Sequence, residues 1–331
     1  MRLFYTLLSI LFIFSCAEKK SSKKTTEVIL EPQEETTTEH TKINNTAIVI
    51  LGTIQDAGSP QIGCKKDCCA GLFEHPDNDR QITSLGLLDS ENDKSYLFEA
   101  TPDIVTQMKS LIRYKKDTSN EVADGIFLTH AHIGHYTGLM FLGKEAMDAK
   151  QAPVYTMPKM KEFLTTNGPW SQLVKRENIV LKSIASENPI ELSSSISVTP
   201  IIVPHRDEYS ETVGYKIKGP NKTALFIPDI DKWEKWDHDI ISEIQKVDYA
   251  FLDATFYSGE EINNRDISQI PHPFIVESLE KFKDLSKKDK SKIIFIHFNH
   301  TNPVINIESE ATKLVVKQGF SIARINDVYN L

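Results

Sequence analysis

Three histidines fall within six residues in THAHIGHYTG (Thr129–Gly138): His130, His132 and His135. Imidazoles are costly to crowd unless a metal or a carboxylate organises them, and neutral imidazole is the commonest transition-metal ligand. Further metal-capable side chains follow short apolar runs: His205 after ISVTPIIVP, Asp229 after ALFIP, Asp253 after DYAFL, and His297 and His300 in KIIFIHFNH. Each has an ordinary explanation alone, as a surface histidine or a helix-capping aspartate. Their joint position at the ends of apolar runs, where loops build sites, points to a metal centre. Two or three imidazoles with a carboxylate leave a coordination position open for a water, as catalytic zinc requires. One position is odd: Gly134 offers no side chain where such a cluster often carries a carboxylate.

A second set of donors is Cys64, Cys68 and Cys69. Three close thiols, two of them adjacent, suggest a metal clip more than a disulfide framework, although an exported compartment would permit disulfides. The preceding QDAGSPQIG is a Gly/Pro loop after the first strand, expected near the metal edge. No Gly-Lys-Ser/Thr follows it, so it is not a phosphate loop.

The elements that must position these residues are legible as apolar runs. TAIVILGT, Thr83–Leu88, Tyr96–Glu99, GIFLTH, ISVTPIIVPH, TVGYKIKG, TALFIPD, VDYAFLDATF and KIIFIHFNH read as strands. TPDIVTQMKSLIRY, with Pro at a helix-start position, DHDIISEIQKV and PFIVESLEKFKDL read as amphipathic helices, and HYTGLMFL as the start of another. Two strand-rich halves with helices between them imply two sheets packed face to face with helices outside.

The ends of the chain's chemistry are bounded by composition. With 331 residues, 40% hydrophobic and 25% charged, the chain holds one large globular domain or two small ones, and its net charge of −8 argues against a nucleic-acid surface. MRLFYTLLSILFIFSC has one early positive charge and an apolar run too short for a membrane span, as in a signal peptide. IFSC resembles a bacterial lipobox, which implies lipidation of Cys16 and an exported protein anchored in the cell envelope, facing the periplasm or the surface. Residues 1–15 are thus expected to be a signal peptide. Residues 16–45, rich in Lys, Glu, Thr and Ser, are expected to be a flexible tether, and 46–331 the functional domain.

THAHIGH resembles the H-x-H-x-D-H motif of the metallo-β-lactamase superfamily, and His205, Asp229 and His297 follow in the order of that superfamily's remaining ligands. LGTIQDAGSPQIGCKKDCC and FIHFNHTNP further resemble the opening and the H-x-N-N-T-N-P run of the pyrroloquinoline quinone biosynthesis B family. The cysteine spacing here is C-x3-C-C instead of C-x-C-x2-C, and His300 stands where the second Asn would be. The resemblance implies an α/β fold, a four-layer αββα sandwich. It assigns His130, His132 and His205 to a first metal, His135 and His297 to a second, and Asp229 to both, with Asp229 as a candidate catalytic group; His300, three residues after His297, is a second candidate catalytic group on its position alone. It also implies a structural zinc on Cys64, Cys68 and Cys69 with His75 as a possible fourth ligand. His272 and Asp253 are expected to contact substrate or support the ligands. Gly134 leaves three readings of the second position open: it is empty, it borrows His300 or His272, or it takes a different metal. The expected cofactor is one or two zinc ions, with iron or manganese as alternatives. The expected activity is hydrolysis of an ester, lactone, lactam or phosphoester of a small molecule. An iron-dependent oxidase and a non-catalytic binding lipoprotein are the competing readings.

Overall fold

The computed structural model describes residues 43–206, 208–262 and 266–331. The expected signal peptide, Cys16 and nearly all of the tether lie outside them. Fourteen strands form two seven-stranded sheets. The first sheet holds β1 (Ala47–Gly52), β2 (Ser84–Asp89), β3 (Lys94–Phe98), β4 (Gly125–Phe127), β5 (Ala152–Thr156) and β6 (Ile179–Ser183) in sequence order. The second holds β7 (Ile190–Glu191), β8 (Ser197–Ile202), β9 (Val213–Lys218), β10 (Thr223–Ile227), β11 (Tyr249–Asp253), β12 (Ile293–Ile296) and β13 (Ser321–Ile322), again in sequence order. A last strand, β14 (Val328–Asn330), returns to the first sheet and pairs antiparallel with β1.

Every residue of β1 is buried, and the alternation of the pleat explains why. Ile48 and Ile50 face the other sheet and join Leu85, Phe98, Phe127, Tyr215, Phe226 and Phe251 in the layer between sheets. Val49 and Leu51 face outward onto the helix Ile104–Ile112, whose Ile104, Met108 and Leu111 seal that side. A third apolar layer lies behind the second sheet, where Ile240 and Ile244, and Ile275 and Leu279, cover β10–β12. Strands buried on both faces read as continuous apolar runs, which is why they stand out in the sequence. The result is the expected four-layer αββα sandwich.

Two details set up the site. β3, β4, β5 and β6 run parallel to one another, as do β10, β11 and β12. Their carboxyl ends therefore emerge together within each sheet. Beneath these ends Phe98 stacks on Phe127 at 5.0 Å between centroids, and Tyr215 meets both rings edge-on. The Tyr215 hydroxyl donates to the carbonyl of Leu128, two residues before His130. An aromatic floor of this kind fixes backbone positions more tightly than aliphatic packing, because ring pairs have preferred geometries.

One of the expected helices differs in the structure. HYTGLMFL continues no regular helix: one α-turn, Ile133–Tyr136, passes into a 3₁₀ segment, Thr137–Leu142. The cause is a tight backbone contact. Ala100 N donates to His135 O at 2.9 Å, and Gly138 N donates to Ala100 O at 2.8 Å. A Cβ at Gly138 would lie 2.0 Å from Thr101 O, so only glycine permits this approach.

Candidate metal centre

The histidine run begins three residues beyond β4, and the other candidate ligands follow strand ends. Asp229 lies two residues after β10, His297 directly after β12, and His205 on the loop after β8. Side chains from both sheets therefore converge at one edge of the sandwich.

The first cluster contains His130, His132, His205 and Asp229, whose ligand atoms all lie within 4.8 Å of one another. His132 Nδ1 is 2.8 Å from His130 Nε2 and 3.3 Å from His205 Nε2. Asp229 Oδ2 is 3.4 Å from His130 Nε2 and 3.2 Å from His205 Nε2. A tetrahedral zinc with bonds near 2.0–2.1 Å holds its ligand atoms about 3.3 Å apart, so this donor set fits one. The second cluster contains His135, Asp229 and His297. It is looser, with His135 Nε2 3.8 Å from Asp229 Oδ2. His135 and His297 are fully buried, yet His135 Nε2 and His297 Nε2 have no hydrogen-bond partner. Buried imidazole nitrogens left unpaired are costly, and a metal ion is the partner that their chemistry fits.

Four of the imidazoles have a polar neighbour at their other nitrogen, the arrangement that fixes the tautomer of a ligating histidine. His130 Nδ1 meets Thr129 Oγ1 at 2.9 Å, His205 Nδ1 meets Asp231 Oδ1 at 3.2 Å, and His297 Nδ1 meets Thr255 Oγ1 at 3.0 Å. His135 Nδ1 lies 3.2 Å from Glu99 Oε1. Burial, then the neighbouring His135, pushes His130 well below the ordinary imidazole value, so it is neutral and able to ligate. Burial acts in the same sense on His135, but the Glu99 carboxylate outweighs it and raises that imidazole to about 9. Burial opposes ionisation of Asp229, yet His272 and His205 outweigh it and hold the carboxyl well below its usual range.

Glu99, Asp231 and Thr255 were not apparent as site residues from the sequence. Glu99 carries a signal in retrospect: it is a fully buried carboxylate directly after β3, with φ of 77°. His297 also sits in the left-handed region, with φ of 69°. Non-glycine residues held there are strained, and such strain clusters at functional sites.

His272 and Asp253 lie beside the centre. His272 Nδ1 is 2.9 Å from Asp253 Oδ2 and 3.1 Å from Asp229 Oδ1. With side chains 13% and 15% exposed, His272 and His132 mark the solvent-facing side, whereas His130, His135, His205 and His297 are sealed at 0–1%.

His300 does not belong to this centre, contrary to the catalytic role expected for it. Its imidazole groups with the sulfurs of Cys64, Cys68 and Cys69, all four ligand atoms lying within 4.8 Å of one another. The reason is backbone direction: the chain turns away after β12, and the three residues from His297 to His300 carry the second imidazole to the cysteine loop. Cys64 Sγ and Cys68 Sγ are 3.7 Å apart, and Cys68 Sγ and Cys69 Sγ 4.0 Å. Tetrahedral zinc with bonds near 2.3 Å separates sulfurs by about 3.8 Å, so this set also fits. His75 is exposed and joins none of the donor clusters among the described residues.

An αββα sandwich with histidines and an aspartate gathered from both sheets at one edge defines a metallo-β-lactamase-type domain. Residues 94–298 match the model of the beta-lactamase superfamily domain, and the chain belongs to that family. Among curated proteins it is similar to coenzyme PQQ synthesis protein B of Acinetobacter baylyi, 26% identical over 298 residues that cover 82% of this chain and 95% of the relative. The corresponding protein of Nitrosococcus oceani is 25% identical and covered over 97% of its length. Among solved structures, Zn2+-bound PqqB from Methylobacterium extorquens superposes with a TM-score of 0.71 at 20% identity, covering 86% of this chain and all of that one. A diphosphatase from the PhnP family superposes with a TM-score of 0.59 at 20% identity, covering 87% and 97%.

Proposed function

We propose that this protein is a metal-dependent hydrolase, anchored to the bacterial cell envelope through a lipidated Cys16, that cleaves a small-molecule ester, lactone, lactam or phosphoester. The observation that carries the reading is the first cluster: three imidazoles and the Asp229 carboxylate at zinc-like separations, with His132 on the solvent-facing side. When bound, a metal ion here supplies an activated water and a Lewis acid for a carbonyl or phosphoryl oxygen. Zinc suits the donor set, and iron and manganese share its preference for imidazole and carboxylate.

The chain's own residues do the rest. Asp229 Oδ2 lies 3.2–3.9 Å from the nitrogens of His130, His132, His135 and His205, so one carboxylate serves both clusters and fixes their spacing. His272, held by Asp253 at the exposed side, is placed to touch a bound substrate. Glu208, whose Oε2 is 3.8 Å from His132 Nε2, and the exposed Tyr209 flank the same opening. The Cys64–Cys68–Cys69–His300 group is read as a structural zinc clip that pins the loop after β1 to the loop after β12.

The test is a panel of esters, lactones, lactams and phosphodiesters offered to the purified full chain. Turnover of one class is expected, abolished by a chelator and restored by zinc. Metal-loaded protein inert to every class would contradict the reading. For the anchor, Cys16→Ser should move the protein from the membrane fraction to the soluble fraction of the envelope. An unchanged distribution would remove lipidation from the account.

A further inference from the structure

The space beside Gly134 is not vacant. A Cβ built on Gly134 would lie 1.9 Å from Asp56 Cβ and 2.4 Å from Asp56 Cα. An aspartate at 134 and the aspartate at 56 would therefore spring from nearly the same point, from different backbones. Asp56 belongs to the QDAGSPQIG loop that follows β1, and that loop is tied to the site's edge: Gln55 N donates to Phe298 O at 2.8 Å, and Phe298 N to Thr53 O at 2.8 Å. Phe298 is the neighbour of His297, so the loop and the second cluster move as one.

We infer that Asp56 is a ligand of the second metal position, replacing from the β1 loop the carboxylate that Gly134 lacks. The inference rests on the metal-centre reading above and completes it. The second cluster supplies His135, His297 and a shared Asp229, a set short of one donor, and its His135 Nε2 and His297 Nε2 are buried and unpartnered. The Asp56 carboxylate is close enough to act electrostatically on His135, in the sense that favours positive charge there. Asp56 Oδ1 accepts from the Gln55 side-chain amide, a neutral partner. Among the described residues, the half-buried Asp56 has no lysine or arginine as a hydrogen-bond or ion-pair partner. The glycine is then a requirement of the arrangement, since any side chain at 134 would collide with the Asp56 backbone.

Zinc bound by the full chain, measured by elemental analysis and by titration with a competing chromophoric chelator, tests the assignment without reference to turnover. Asp56→Ala is expected to lose one zinc per chain relative to the wild type, or to raise that ion's dissociation constant at least about 100-fold. Asp56→Asn, nearly isosteric, guards against a folding artefact and should weaken the same ion while leaving the circular dichroism unchanged. A wild-type zinc content retained by Asp56→Ala would overturn the assignment while leaving the first cluster intact. A wild type that holds no more zinc than Asp229→Ala would overturn the metal-centre reading itself.

Discussion

Of the three donor groups that share Asp229, the two that include residues of the histidine motif are built to different standards. The first is complete within itself: His130, His132, His205 and Asp229 stand 2.8–3.9 Å apart wherever their separations are resolved. The second is more open, its His135 and His297 are fully buried, and it leans on elements outside the histidine motif: Glu99 beyond β3, Thr255 beyond β11 and, in our proposal, Asp56 beyond β1. The contrast separates two ways of making a metal site. One takes two of its four donors, His130 and His132, from a short motif and adds His205 and Asp229. The other recruits them from loops whose relation exists only after the sheets have closed.

That difference orders the consequences of substitution. His130→Ala or His205→Ala should abolish binding at the first position and lower kcat/KM by at least about 1000-fold, since the open coordination position depends on it. Steady-state kinetics with zinc analysis checks this, and an active variant that lacks the metal would break the comparison. Glu99→Gln keeps the shape but removes the charge behind His135, so it should weaken the second ion by about 10–100-fold and leave the first unaffected. Equal weakening of both would show that the clusters are one unit. His272→Ala should lower turnover while the metal content stays constant, because His272 touches Asp229 and Asp253 but completes neither cluster. Metal loss in that variant would make it a ligand. The smallest effect belongs to the floor beneath both clusters. Tyr215→Phe removes the donor to Leu128 O and leaves a buried carbonyl short of a partner, a cost of about 1–3 kcal/mol in unfolding free energy. Urea denaturation measures it.

The same contrast explains what the sequence could reveal. The sandwich was legible because strands buried on both faces, such as AIVILG and TALFI, remain apolar throughout. Strands β5 and β6 were not, since APVYT and IVLKS alternate or end polar and carry little contrast with their surroundings. The histidine motif was legible because its members are two and three residues apart. Glu99, Asp231 and Asp56 are ordinary acidic residues in ordinary loops, after β3, β10 and β1, and only the packing of the two sheets gives them a role. His300 shows the opposite error. Its closeness to His297 in sequence suggested one shared centre, but a left-handed residue at the end of β12 sends the two imidazoles to different sites.

The most direct test of a two-position centre is a crystal structure of the zinc-loaded protein with anomalous data collected at the zinc edge. The account predicts one peak among His130, His132, His205 and Asp229, and a second among Asp229, His135, His297 and Asp56. It also predicts a separate peak at Cys64, Cys68, Cys69 and His300. Zinc-saturated crystals with no density on either side of Asp229 would contradict it.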